Sequence, residues 1–141
     1  MRKHEGGCLC GGIRFEISGE IGPIGHCHDP ICRKAHSAAF ASHAAIAADR
    51  LRWTRGEELI QRYESSPGGF RWFCGRCGSH LTGVMSDRPD AVIVISVGSL
   101  DDDPQSRPVA HENVGSKAPW FEITDDLPQF EGGFPKNRRE T

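Results

Sequence analysis

The residues of this 141-residue chain with the most chemistry in them are its six cysteines, and their spacing sorts them. Cys8-Leu9-Cys10 and Cys74-Gly75-Arg76-Cys77 are close pairs. Such a pair is awkward to bridge on itself and well suited to sharing a metal. In extended backbone, residues i and i+2 point the same way, so Cys8 and Cys10 present both thiolates to one ion. Cys74-x-x-Cys77, followed by Gly78, has the form of a zinc knuckle. Two intervening residues let the chain turn around the metal, and glycine supplies the backbone conformations of a tight turn. The two pairs predict one tetrahedral four-cysteine zinc site, a crosslink across the 63 residues between Cys10 and Cys74. The competing reading is a redox-active Cys-x-x-Cys. That motif normally opens a helix after a strand, and Gly78 argues against a helix there.

Glycines and prolines punctuate the rest into short segments. Ile13, Phe15 and Ile17 alternate with Arg14 and Glu16, the pattern of a half-buried strand entered from a glycine-flanked turn at the first cysteine pair. Further strands are expected at 24–28, at 59–63 and 70–73 around the turn 65–69, at 81–85, and at the β-branched run 91–97. A helical turn is expected at 32–37, whereas periodicity does not arbitrate 40–47. Beyond Asp103-Pro104 the chain reads as a loop-rich tail wrapping over a sheet core. The class is mainly β with one or two short helices. Residues 1–135 are expected to form one domain, followed by a short basic tail, 136–141.

The composition, 37% apolar and 26% charged with a net charge of −2, fits a soluble globular protein and gives no reason to expect nucleic acid. No run is long and apolar enough to span a membrane. The first residues lack the apolar stretch of a secretory signal, so a reducing, cytoplasmic setting is expected, and zinc before disulfides.

Two cysteines remain, in His26-Cys27-His28-Asp29-Pro30-Ile31-Cys32-Arg33-Lys34. With this segment in view, the chain resembles the glutathione-dependent formaldehyde-activating enzyme family, which includes centromere protein V. The likeness also runs through Gly7-Cys8-Leu9-Cys10-Gly11-Gly12, Phe73-Cys74-Gly75-Arg76-Cys77-Gly78-Ser79, Ala118-Pro119-Trp120-Phe121 and Asp126-Leu127-Pro128. The resemblance implies a β-tent fold with structural zinc on Cys8, Cys10, Cys74 and Cys77, and a second, catalytic zinc held by three cysteines. Carried over by position, those three become Cys27, Asp29 and Cys32, so the middle thiolate is replaced. If alternation continues through the segment, Asp29 shares a side with Cys27, while His26 and His28 face away. A carboxylate is an acceptable but harder zinc ligand than a thiolate.

Three ligands leave a fourth position open, which by resemblance is taken by the thiol of glutathione as it adds to formaldehyde. The family thus implies a carbon–sulfur lyase acting on a glutathione-like thiol and a small aldehyde. Arg33, Lys34 and Lys117 are candidate anchors for glutathione's carboxylates, and Trp120 a candidate pocket wall. Zinc-bound water, His28, His36 and Arg33 are candidate partners for the developing alkoxide, and the sequence does not rank them. His4, His43 and His111 have no ligand-like neighbours in sequence and read as surface or satisfied core residues, and His80 as a hydrogen-bond partner of a zinc-bound sulfur. Two other readings stand beside the enzyme: a binding or structural module whose altered second site is inert, and a thiol-redox sensor using Cys27 and Cys32.

Overall fold

The structure is a computed structural model that describes residues 2–85 and 90–133. The expected basic tail, 136–141, lies outside them. The described chain is mainly β, with ten strands and one α-helix, and falls into two compact units, Met1–Pro23 with Ala44–Ser106 and Ile24–His43 with Arg107–Thr141.

In the first unit, β1 (Lys3–Gly7), β2 (Arg14–Ser18) and β5 (Leu51–Arg55) form an antiparallel sheet with β2 in the middle. The alternation read for 13–17 holds. Phe15 and Ile17 are buried, while Arg14 reaches Asp101 and Glu16 meets Arg52 and Lys3 on the outer face. Phe15 packs edge-on against Trp53, which in turn stacks on Trp72, and the Arg62 guanidinium lies over the Trp72 ring. Four further strands run antiparallel to their neighbours in the order β9 (Val92–Ser96), β8 (His80–Val84), β7 (Gly69–Cys74), β6 (Ile60–Ser66). Leu81, Ile93, Ile95 and Ile60 give this group its buried face.

In the second unit, β3 (Ile24–Cys27) has two neighbours, antiparallel β4 (Ala41–Ala47) and parallel β10 (Pro108–Glu112). A strand at 108–112 lies within the segment expected to be loop-rich. Pro108 is tolerated because it is the strand's first residue, where no ladder donor is missed. The segment after β10 does wrap back. His111 N–H donates to Pro128 O and Phe130 N–H to His111 O, so 128–130 line the outer edge of β10.

Between β3 and β4 lies α1 (Pro30–His36), which starts two residues earlier than expected. Its start has a plain chemical cause. Asp29 is the N-cap, with its carboxylate accepting from Ile31 N–H at 2.8 Å, and Pro30 is pre-set for the first helical position. Arg33, Lys34 and His36 then lie in the last turn, where the helix dipole favours positive charge.

Candidate metal centres

The first centre is built inside the first unit. Cys8 follows β1, Cys10 lies in the turn into β2, Cys74 ends β7 and Cys77 closes the turn into β8. Their four sulfur atoms lie within 4.8 Å of one another. The separations are 3.6 Å for Cys8–Cys10 and 3.9 Å for Cys10–Cys74. A tetrahedral ion with metal–sulfur bonds near 2.3 Å holds its ligands about 3.8 Å apart, so the spacing is that of four thiolates around one metal. All four cysteines are free of disulfides.

The backbone is folded around the sulfurs as a metal site requires. Ile13 N–H donates to Cys8 Sγ at 3.2 Å, and the N–H groups of Arg76 and Cys77 donate to Cys74 Sγ at 3.3 and 3.4 Å. Gly78 closes the knuckle at φ +80°, a conformation that a side chain resists. Ser79 ties the pairs together: its hydroxyl accepts from Leu9 N–H at 2.8 Å and lies 3.2 Å from Cys77 Sγ. Ser79 was not singled out from sequence, where His80 was the candidate for contact with sulfur. The His80 Nδ1 is 2.9 Å from Ser96 Oγ.

Without a cation the four thiols cannot ionise together. Hydrogen bonds from the Ser79 hydroxyl and backbone, and then from Cys10 N–H, draw the Cys77 thiol down to about 5. At Cys10 a hydrogen bond from Gly12 N–H pulls down, but the Cys8 thiol and the other two cysteines push the group up to about 11. A divalent cation resolves that conflict, which is why the donor set fits a metal.

The second group of residues lies in the other unit. Cys27 is buried at the end of β3, and Cys32 sits in the first turn of α1. The Cys32 thiol beside it, and then burial, push the Cys27 thiol up, while hydrogen bonds from His43 and from Asp29 N–H pull the other way. Asn113 Nδ2 also donates to Cys27 Sγ at 3.3 Å. The structure therefore brings Cys27 and Cys32 together. Asp29 departs from the expected arrangement, because β3 ends at Cys27 and the Asp29 side chain caps α1. Among the described residues, Cys8, Cys10, Cys74 and Cys77 are the group whose donor atoms are already gathered for a metal.

Of the substrate candidates, Lys34 is exposed and Trp120 is 71% exposed, which removes Trp120 from the core. Arg33 Nε donates to His28 O. Lys117 is committed to the carbonyls of Ala118 and Phe121, so its ammonium pins the tail. His43 and Asn113 were missed as neighbours of Cys27, because no sequence signal gives the register that brings them there.

On the other face of β3, His28 Nε2 is 2.8 Å from His111 Nδ1, and His111 Nε2 is 3.0 Å from Asp125. Phe40 and Phe121 pack around the rings. His111 is a satisfied core residue, as expected. Burial, then His111, His26 and the nearby Lys117 and Arg33 charges, hold the fully buried His28 down to about 4, and burial with His111 does the same for His26. Unfolded histidines titrate near 6.5. Between about pH 6.5 and 4 the unfolded chain therefore takes up protons that the folded chain refuses, so this contribution to stability is full above that window and is lost as pH falls through it. Equilibrium unfolding at pH 7.5 and 5.0 should show the lower stability at pH 5.0, with a shallower dependence in His28→Asn. Equal stability at the two values would contradict the assignment.

Comparison with known proteins gives this geometry its context. A crystal structure of a Rhodobacter sphaeroides protein shares the fold, with a TM-score of 0.59 at 22% identity over 70% of this chain and 89% of that one. The model of the glutathione-dependent formaldehyde-activating enzyme family matches residues 3–116, a span that contains all six cysteines, both turns of the four-cysteine cluster and the whole of α1. On that match the chain belongs to the glutathione-dependent formaldehyde-activating enzyme family.

Proposed function

We propose that this protein catalyses the reversible addition of a thiol, glutathione or a close analogue, to formaldehyde or another small aldehyde, and that it acts as a carbon–sulfur lyase in the reverse direction. The observation that carries the reading is the family match over residues 3–116, within which the buried Cys27 ends β3 and Cys32 lies in the first turn of α1. In this reading Cys8, Cys10, Cys74 and Cys77 hold a structural Zn²⁺, and Cys27 and Cys32 contribute to a second, catalytic one. Bound there, Zn²⁺ would lower the pKa of a coordinated thiol and keep it nucleophilic at neutral pH.

The rest of the chemistry belongs to side chains. Asn113 and Asp29 N–H direct hydrogen bonds at Cys27 Sγ and favour its thiolate form. The cationic end of α1, with Arg33 and Lys34, offers attraction to the carboxylates of a glutathione-like substrate. Exposed Trp120 and the half-exposed Ile31 offer apolar surface to its body. Holding sulfur beside the aldehyde carbon makes the addition effectively intramolecular. As the carbon–sulfur bond forms, the carbonyl electron pair moves to oxygen, which must gain a proton. His36, in the last turn of α1, is the better placed histidine for that proton, since His28 is fully buried and turned to His111.

A second reading is favoured by one observation: the Asp29 carboxylate, at the position of the family's middle ligand, serves the helix. In that reading the four-cysteine site maintains a binding or structural module and the Cys27 region is inert. Metal analysis and a mixing experiment separate the two. The enzyme should carry two zinc ions per chain and accelerate hemithioacetal formation from glutathione and formaldehyde. One zinc and an unchanged rate would establish the module instead.

A further inference from the structure

β6 pairs with β7 on one side and, among the described residues, with no strand on the other. The outer edge of β10, by contrast, is lined by 128–130. An open edge is a row of unpaired backbone donors and acceptors, which proteins usually blunt with proline, repelling charges or a bulge. β6 contains no proline, and its register with β7 is regular from Ile60 to Glu64, with the irregularity falling between Glu64 and Ser66. Gln61, Arg62, Tyr63 and Glu64 are all exposed, Tyr63 by 65%.

The hydrogen bonds at the start of the strand tell which groups face outward. Leu59 O accepts from Gly75 N–H, whereas Cys74 N–H, opposite Ile60, donates away from β6 to Ser79 O. Alternation along an antiparallel pair then turns the backbone groups of Gln61 and Tyr63 toward β7 and those of Arg62 and Glu64 toward the open edge. Any strand added there must bond to Arg62 and Glu64.

A second copy of β6 fits that requirement in one register. Two copies related by a twofold axis run antiparallel, and the residue on the axis sets who faces whom. With Arg62 or Glu64 on the axis, like charges meet. With Gln61 or Ser65 there, Arg62 has no acidic partner. With Tyr63 on the axis, each Arg62 faces the other copy's Glu64, and each such pair exchanges two backbone hydrogen bonds. The two tyrosines then meet as a close cross-strand aromatic pair. Glu64 Oε2 accepts from Gly68 N–H at 3.2 Å, which leaves its other oxygen for the contact. Arg62 lies over Trp72, and its long stem lets the guanidinium reach a strand on either side of β6.

We infer that two copies of this chain associate by joining their β6 strands antiparallel about Tyr63, with Arg62 of each facing Glu64 of the other. The inference depends neither on a metal nor on catalysis. Charges that repel in the other registers select this one, so the edge is self-complementary.

Sedimentation equilibrium over a wide range of concentration tests this. Wild type should pass from one chain to two as concentration rises. Arg62→Glu and Glu64→Arg each set like charges against each other in both pairs, so each should raise the dimer dissociation constant at least about 10-fold. Mixed in equal amounts, the two variants should form a heterodimer, because the carboxylates of one then face the guanidinium groups of the other; that result also shows both to be folded. Amide exchange on wild type needs no variant. The N–H groups of Arg62 and Glu64 should slow as concentration rises, while those of Gln61 and Tyr63, already bonded to β7, should change far less. A wild type that stays a single chain at every concentration, single variants as dimeric as wild type, or folded variants that form no heterodimer would each overturn the inference, as would a dimer whose Arg62 and Glu64 amides exchange as in the monomer. Should a variant fail to fold, the wild-type amides alone decide.

Discussion

Replacing Cys74 by serine is expected to yield a chain that does not fold. Cys74 is fully buried, accepts two backbone N–H bonds through its sulfur, and lies 3.9 Å from Cys10 in a cluster drawn from both segments of the first unit. Structural zinc sites contribute roughly 10–16 kcal/mol of apparent binding free energy. A whole domain has a net stability of only about 5–15 kcal/mol. Losing a structural zinc at this cluster would therefore cost about as much as the whole margin. The expected result is loss of the cooperative thermal transition, loss of the near-ultraviolet signal of the stacked Trp53–Trp72 pair, and aggregation; a strong chelator should do the same to wild type. A Cys74→Ser protein that melts as wild type does would refute a structural metal.

Cys27→Ser should do the opposite, leaving the fold and removing the proposed activity. Its sulfur receives the Asn113 amide, a contact that a hydroxyl can keep, and the four-cysteine cluster lies in the other unit. The melting temperature should move by a few degrees, an effect of about 1 kcal/mol. Metal content should fall from two ions to one, and hemithioacetal formation should drop to the rate of the uncatalysed solution. Atomic absorption and stopped-flow measurement on the same sample check both halves. Full activity in Cys27→Ser would mean that the chemistry lies elsewhere.

How much could be read before the structure depended on whether the signal was local. The alternation at 13–17, the β-branched run at 91–97 and the turn at 65–69 each carry their own evidence, and each became the expected element. β5 does alternate, with Leu51 and Trp53 between arginine and threonine, but β1 carries two glycines and β10 starts at a proline and carries His111 and Glu112, so these two lack the composition of a strand. They are strands because of what they pair with, and pairing is a long-range property. The four-cysteine cluster was legible because each half is a local motif and both halves offer the same kind of donor atom. The surroundings of Cys27 were not, since His43, Glu112 and Asn113 come from two other strands and the turn that follows one of them. Asp29 was legible in a different sense: an aspartate followed by proline is a helix start, and strand alternation was carried two residues too far.

The parallel pairing of β3 with β10 has a consequence for how the molecule comes into being. A parallel partner cannot be supplied by a hairpin, and here it arrives only after Arg107. On the ribosome, Ile24–His43 is made early, and β3 must wait until Ala44–Ser106 has been made before its parallel partner, Pro108–Glu112, exists. Until then, one edge of β3 and the thiols of Cys27 and Cys32 stand open to water and to oxidants. The newborn chain, more than the mature one, is where that pair is most easily lost.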